Sequence, residues 1–181
     1  MTVLTEGGGG IGLVLLGSPQ VVSGVTEVEF TDGIDGNGDL YLLVATNVTV
    51  GTDNTGIGIR TSSDGGATFD SGVSDYTYYG IYSGGIDGYG GAATNDRLQL
   101  FTQGNATNEA SDFTVRLFHP ANAGEHTRVD WLGGGDHATQ GFLYNSYCGK
   151  RNEVGAVNGI QIKPVAGTIS GTFALYKFKN V

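Results

Sequence analysis

The stretch that decides the fold is residues 40–72, LYLLVATNVTVGTDNTGIGIRTSSDGGATFDSG. It begins with an unbroken apolar run, residues 40–45, whose length is typical of a strand buried on both faces. After a turn-forming segment at residues 51–54, Ile57 and Ile59 alternate with glycines, which indicates a second strand. The stretch therefore predicts short strands joined by tight turns.

The same pattern continues outward in both directions. Residues 25–30 alternate with a period of two, and no window carries the apolar spacing of a helix longer than two turns. About ten short strands separated by turn residues predict an all-β fold, an antiparallel β-sandwich of the jelly-roll kind. The remaining strands are expected at residues 77–82, 97–102, 112–118, 127–132, 138–148, 159–163 and 168–178.

The N-terminal segment, residues 1–20, differs from the rest of the chain. Four consecutive glycines at residues 7–10 precede a short apolar segment, and such a run is costly to order. We interpret residues 1–20 as an extended arm for assembly or anchoring and residues 21–181 as one sandwich domain. The interpretation we favour is that a neighbouring subunit holds the arm, and the alternative is that the arm folds back on its own domain. The residues expected to make the assembly contacts are Leu13, Val14, Leu15 and Leu16.

Charge and cysteine content exclude several classes of protein. The chain has 9 Lys and Arg against 18 Asp and Glu, a net charge of −9, and no basic cluster. Binding to nucleic acid or to anionic membranes is therefore not expected. No segment has the length of a membrane helix or the basic start of a signal peptide, so we expect a soluble protein made in a cytoplasm. Cys148 is the one cysteine and cannot form an internal disulfide.

Residues 62–69, SSDGGATF, fit the Asp-box pattern S-x-D-x-G-x-T-(W or F) of sialidase-like propellers. The pattern predicts a hairpin turn in which a carboxylate accepts turn amides and glycines supply positive φ. In sialidase-like proteins the motif lies away from the catalytic centre, so it brings no catalytic residue. No nucleophile elbow, phosphate loop or zinc motif occurs, and we expect no enzyme activity. The residues assigned to this turn are Ser62, Asp64, Gly66, Thr68 and Phe69.

A second acidic turn is a weak candidate for calcium. Asp35, Asn37 and Asp39 reproduce the first three ligand positions of a calcium loop. The match then fails, because Leu40 replaces the glycine of position six and Thr46 the glutamate of position twelve. We expect a glycine-rich turn and no cofactor, with calcium as the alternative.

Tyrosines set among glycines form the last candidate site: Tyr78, Tyr79, Tyr82 and Tyr89. Exposed Tyr between small residues makes an adaptable contact surface for sugars or proteins. Tyr in a strand is equally often half-buried packing, and the sequence leaves both interpretations open.

Residues 30–72, together with the ending at residues 160–162 and 169–176, resemble a group of poorly characterised virion proteins of tailed bacteriophages. Many of these phages are marine, and the genes often lie beside tail-fibre genes. The resemblance spans roughly residues 27–178 and implies a β-sandwich displayed on a virion, with no catalytic residues. The acidic insert at residues 35–39 departs from the pattern of the group, and the segment 1–20 has no counterpart in it.

The resemblance implies a non-enzymatic structural protein on the surface of a virion that is made in the bacterial host cytoplasm. It would be a tail-fibre or tail-tip module or a head-decoration protein, attached through its arm to other capsid or tail proteins and contributing to host attachment. Such proteins are usually homo-oligomers, most often trimers. The alternative function is a carbohydrate-binding module that recognises a host-surface glycan through the tyrosine-rich surface.

Overall fold

The structure is a computed structural model that describes residues 11–36, 40–84 and 87–180. These residues form strands, turns and loops without a helix, and so contain no helix that could span a membrane. The strands are β1 (Ile11–Val25), β2 (Val28–Phe30), β3 (Leu40–Val50), β4 (Thr55–Ser62), β5 (Tyr76–Ser83), β6 (Gly88–Asn95), β7 (Leu98–Gln103), β8 (Ser111–Phe118), β9 (Arg128–His137), β10 (Gly141–Arg151), β11 (Gly159–Pro164) and β12 (Ile169–Asn180).

The strands form two sheets that pack face to face. One sheet has eight strands in the order β1-β12-β3-β8-β9-β10-β5-β6, and the other has four in the order β2-β11-β4-β7. Every pairing is antiparallel, so the predicted all-β antiparallel sandwich is confirmed. Inward-facing side chains of both sheets make one core, which includes Val28, Ile57, Ile59, Leu98, Ile160 and Ile162 from the smaller sheet and Tyr41, Leu43, Val115, Trp131, Phe173 and Leu175 from the larger.

Strand β3 differs from the expectation of burial on both faces. Tyr41, Leu43 and Ala45 are buried in the core, whereas Leu42 and Val44 on the opposite face are only half-buried. Successive side chains of a strand point to opposite faces, and in the described part of the chain another sheet covers only the inner face of the large sheet. The apolar side chains on the other face therefore remain partly exposed.

The predicted arm is wrong for residues 11–20. These residues belong to β1, which pairs with β12 from Ile11↔Asn180 to Val25↔Ile169 and forms one edge of the large sheet. This pairing satisfies backbone groups of β12 that would otherwise be an unpaired edge. The alternative interpretation, an arm folded back on its own domain, describes residues 11–20, and the domain boundary at 20/21 falls inside a strand. Residues 1–10 lie outside the described residues.

The large sheet extends beyond the small one. Strands β9, β10, β5 and β6 continue it past β8, while the small sheet ends at β7. The indole Nε1–H of Trp131 on β9 donates to the carbonyl oxygen of Leu100 on β7 at 3.0 Å and ties the two sheets together there. Leu100 lies at a register shift in which β7 has one residue more than β4, so its carbonyl is not part of the regular ladder. The extension leaves β6 and much of β5 without a facing strand.

Candidate functional site

The turn at residues 62–68 is organised by the Asp64 carboxylate. Its Oδ1 accepts the Ser62 hydroxyl at 2.7 Å and the Thr68 amide at 2.9 Å, and its Oδ2 accepts the Thr68 hydroxyl at 2.7 Å. The bond from the Thr68 amide, followed by those from the two hydroxyls, lowers the pKa of Asp64 from 3.8 to about 2. Gly65 and Gly66 adopt φ of 72° and 88°, and a Cβ on Gly66 would collide with Thr31.

The predicted hairpin around this turn is wrong. Strand β4 before the turn lies in the small sheet, and β5 after it lies in the large sheet. The segment 63–75 is therefore a crossover between the two layers of the sandwich. The Asp64 turn redirects the chain out of one sheet, and Phe69 lies near Gly66 with its ring edge 3.7 Å from where a Cβ on Gly66 would be.

A buried polar network, which the sequence did not reveal, anchors this crossover. Arg151 on β10 is almost fully buried, and its Nε donates to Oδ2 of Asp70 at 2.7 Å. The same Asp70 oxygen accepts the Thr61 hydroxyl at 2.7 Å, and the Thr61 amide donates to the Tyr76 hydroxyl oxygen at 2.7 Å. Burial raises the pKa of Tyr76 far above its usual value, and bonds and charge from Asp70 raise the pKa of Arg151 despite its burial. Each of these groups has a partner inside the fold, so the network acts structurally.

The strand alternation separates the four predicted tyrosines. Tyr78 is only 9% exposed, with its ring centroid 5.9 Å from that of Trp131, so its assignment to a contact surface is wrong. Tyr79 and Tyr89 point to the opposite, outer face and are 55% and 90% exposed. Tyr82 is half-buried on the inner side. Consecutive residues of a strand point to opposite faces of the sheet, so Tyr78 and Tyr79 cannot share one surface. The abundance of tyrosine and glycine in this segment does not reveal this separation.

The outer face at this end of the large sheet is apolar. We call the patch the outer aromatic face; it is formed by exposed side chains on β5, β6, β9 and β10. The cross-strand pairs Ser146↔Ile81, Ser146↔Leu132 and Ile81↔Tyr89 place these strands' side chains on one face. Its members are Tyr79, Ile81, Tyr89, Leu132, Phe142 and Tyr144. A depression of about 540 Å³ lies among Tyr79, Ile81 and Leu132, above the small side chains of Ser146 and Cys148.

The corresponding face of the small sheet is polar. Its outward positions include Glu29, Gln161 and Lys163, and the Lys163 ammonium pairs with Glu27 at 2.9 Å. Gln161 Nε2 donates to Glu29 Oε1 at 2.8 Å. The exposed large apolar side chains thus concentrate on the outer aromatic face, although the Arg116–Asp130 ion pair lies at its border. A contiguous exposed apolar patch on a globular protein usually marks an interaction site.

Sequence reasoning missed the outer aromatic face, although β10 carries a signal for it. Phe142 and Tyr144 face outward and Leu143 faces inward, so the start of this strand carries apolar side chains on both faces. Further along, Ser146 and Lys150 are polar outward positions. A strand that lies on a solvated sheet alternates apolar with polar residues. The first residues of β10 lack this alternation.

A cleft on the inner side of the extension brings the tyrosines of the core together. It lies between β7 and the inward residues of β5 and β10, with a volume of about 280 Å³. The ring of Tyr147 stacks on Trp131 with centroids 5.5 Å apart and an interplanar angle of 1°. Burial raises the pKa of Tyr147, and the nearby phenols of Tyr82 and Tyr78 add to the shift. A Cβ at Gly80 would collide with the Tyr147 ring, so the glycine makes room for the stack.

The other predicted residues lie apart from both regions. Leu13 and Val14 are exposed on the edge strand β1, whereas Leu15 and Leu16 are half-buried, with Leu16 packed against the core. Of the calcium candidates, Asn37 and Asp39 lie outside the described residues. The Asp35 carboxylate accepts the Lys177 ammonium at 2.9 Å. Within the described ranges, no three His, Cys, Asp or Glu side chains converge as metal ligands would.

Comparison of the chain with protein-family models, with curated proteins and with solved structures finds no match. The geometry therefore defines the class to which the site belongs: an all-β sandwich with a structural crossover, an outer aromatic face and a small inner cleft.

Proposed function

We propose that this chain is a non-enzymatic structural protein of a bacteriophage virion, exposed on the particle surface. It serves as a tail-fibre or tail-tip module or as a head-decoration protein and assembles with copies of itself. The likeness of residues 30–72 to tailed-phage virion proteins supports the setting. The outer aromatic face is the observation that supports self-assembly. Exposed apolar side chains do not stabilise a monomer in water, whereas their burial against another copy does.

The strand order supports a jelly roll. Within the eight-stranded sheet, the four neighbours β1-β12-β3-β8 pack against the four-stranded sheet β2-β11-β4-β7. These eight strands form the two four-stranded layers of a jelly roll. The chain passes from one sheet to the other between β1 and β2, between β2 and β3, and between β3 and β4, as it does in a double-sheet jelly roll. The pairs β5-β6 and β9-β10 are two hairpins added to one sheet, and they carry the outer aromatic face.

The size of the outer aromatic face fits a second copy of this chain as its occupant. The exposed parts of its four aromatic side chains amount to about 500 Å² at roughly 200 Å² for each whole side chain, and the exposed halves of Ile81 and Leu132 add to this area. A stable protein interface buries about 800 Å² on each partner. None of the six side chains is charged. The charged groups beside them are Asp136, opposite Phe142 in the strand pairing, and the Arg116–Asp130 ion pair, whose charges offset each other.

Attachment to the particle is a separate part of the proposal. Residues 11–20 belong to β1 and pair with β12, so they are not available as an anchoring arm. The proposed anchoring segment is therefore residues 1–10, which lie outside the described residues. The alternative function is carbohydrate binding by exposed tyrosines. Tyr79 and Tyr89 are exposed and available for it, whereas Tyr78 is buried.

Sedimentation equilibrium of the purified chain tests the assembly. We expect an oligomer, and we expect Tyr89→Asp to raise its dissociation constant at least about tenfold, because a charge replaces apolar contact area. The matched control is Val73→Asp, since Val73 is 81% exposed but lies in the crossover outside the outer aromatic face. A monomeric wild type, or equal behaviour of the two variants, contradicts the assembly.

The location on the virion is tested by electron microscopy and quantitative mass spectrometry of purified particles. A head-decoration protein is expected at capsid lattice positions in hundreds of copies, and a fibre or tail-tip module on the tail in few. Absence of the chain from purified particles contradicts a structural role.

A further inference from the structure

The cleft between β7 and the extension of the large sheet contains a buried amide that nothing in the fold uses. Asn145 faces inward on β10 between Leu143 and Tyr147 and is only 5% exposed. Across residues 11–36, 40–84 and 87–180 its side chain has no hydrogen-bond partner, although it lines the cleft. Among the described residues, Gln161 Oε1 is the polar atom that is both fully enclosed and without a partner, so the Asn145 amide atoms are reached from the cleft. They are free to bond to whatever fills the cleft.

Two further polar side chains of the cleft are also uncommitted, whereas the Tyr78 hydroxyl accepts the Asn95 amide at 3.3 Å. Tyr82 lies opposite Asn145 in the strand pairing, and Gln140 lies in the turn that joins β9 and β10. Neither side chain has a hydrogen bond to another described residue. His137 at the same end accepts the Thr139 amide at 3.2 Å. No Asp, Glu, Lys or Arg side chain lines the cleft.

This lining selects a chemical class of ligand. Amides and phenols both donate and accept hydrogen bonds, as do the hydroxyls of a sugar. The aromatic and apolar walls from Tyr147, Leu143 and Phe101 suit the C–H faces of a sugar ring. The absence of charge from the lining disfavours acidic and basic ligands. The volume, about 280 Å³, is close to the lower end of the roughly 300–1,000 Å³ range of ligand clefts.

We propose that this cleft is a binding site for one neutral saccharide unit, with Asn145, Gln140 and Tyr82 as its hydrogen-bonding residues. The site lies on the inner side of the extension, so it differs from the exposed tyrosine surface and from the outer aromatic face. It does not rest on the proposed assembly role: a monomeric chain could bind the sugar, and an assembled chain could lack the site.

The test uses the full ¹⁵N-labelled chain and the NMR signals of its side-chain amides. The probes are the methyl glycosides of glucose, galactose, mannose and N-acetylglucosamine, with glucuronic acid and N-acetylneuraminic acid as charged comparisons. We expect at least one neutral glycoside to shift the Asn145 and Gln140 amide signals, with the charged sugars binding more weakly. Fluorescence of Trp131, the one tryptophan, gives a second readout because its ring stacks on Tyr147.

The Asn145→Ala variant is expected to raise the Kd for that glycoside about tenfold, because the complex loses one or two hydrogen bonds. Val73→Ala is the control, since Val73 is exposed in the crossover and belongs neither to the cleft nor to the outer aromatic face. It should leave the Kd unchanged. Amide signals of the wild type that respond to no neutral glycoside at millimolar concentration mean that water alone fills the cleft, and this overturns the proposal. Equal loss of binding in both variants, or loss only in Val73→Ala, also overturns it.

Discussion

Replacing Asp70 with alanine should destabilise the fold far more than removing an exposed ion-pair partner does. The Arg151 side chain is only 3% exposed, and Asp70 accepts both its Nε and the Thr61 hydroxyl at 2.7 Å. Without the carboxylate, the partner that the buried guanidinium keeps among the described residues is Glu153, at 2.9 Å. Breaking a buried pair on one side costs about 3–5 kcal/mol. Because Asp70 itself is 21% exposed and Glu153 remains, we expect the lower end, about 3 kcal/mol.

Urea denaturation at fixed protein concentration measures this loss, and thermal melting should show a decrease of roughly 6–12 °C for a chain of this size. The control is Glu27→Ala, which breaks the pair with Lys163, where both side chains are more than a third exposed. That variant should lose less than about 1 kcal/mol. If the two variants lose the same free energy of unfolding, the buried Asp70–Arg151 pair stabilises the fold no more than an exposed ion pair does, and the reasoning is refuted.

Two further results follow from local geometry. Because the folded pKa of Asp64 is lowered from 3.8 to about 2, its contribution to stability is present above about pH 4 and is lost as the pH falls through 2. The Thr68 amide signal in NMR should keep its hydrogen-bonded shift at pH 4 and lose it near pH 2, and a midpoint near 4 would contradict the assignment. Gly80→Ala should cost about 1–3 kcal/mol of unfolding free energy because its Cβ would collide with the Tyr147 ring. Gly124→Ala, whose nearest contact would be 3.4 Å away, should change little in the same thermal melts, and equal losses would refute the packing argument.

The proposals assign different tasks to the two faces of one sheet extension. The outer aromatic face presents apolar side chains that burial against another copy would stabilise. The inner face presents the Trp131–Tyr147 stack and the uncommitted Asn145 amide. Strand alternation makes this division possible within the hairpins β5-β6 and β9-β10, because each strand contributes to both faces.

The sequence by itself determined the class of fold and the turn at Asp64. Alternation over residues 55–61 and the apolar run at residues 40–45 are local signals, and they predicted strands where β4 and β3 lie. The bonds from Ser62 and Thr68 to Asp64 also join residues within four positions of each other. Contacts of this kind depend on nearby residues and can be read from their order.

Only the tertiary structure decided which strands pair and which face each side chain takes. The Arg151–Asp70 contact joins residues 81 positions apart, and β1 finds its partner β12 at the other end of the chain. The separation of Tyr78 from Tyr79 depends on which face of β5 meets the small sheet. Strand periodicity fixes that neighbours face opposite ways, but the side that is buried is set by which strands come to pack against it.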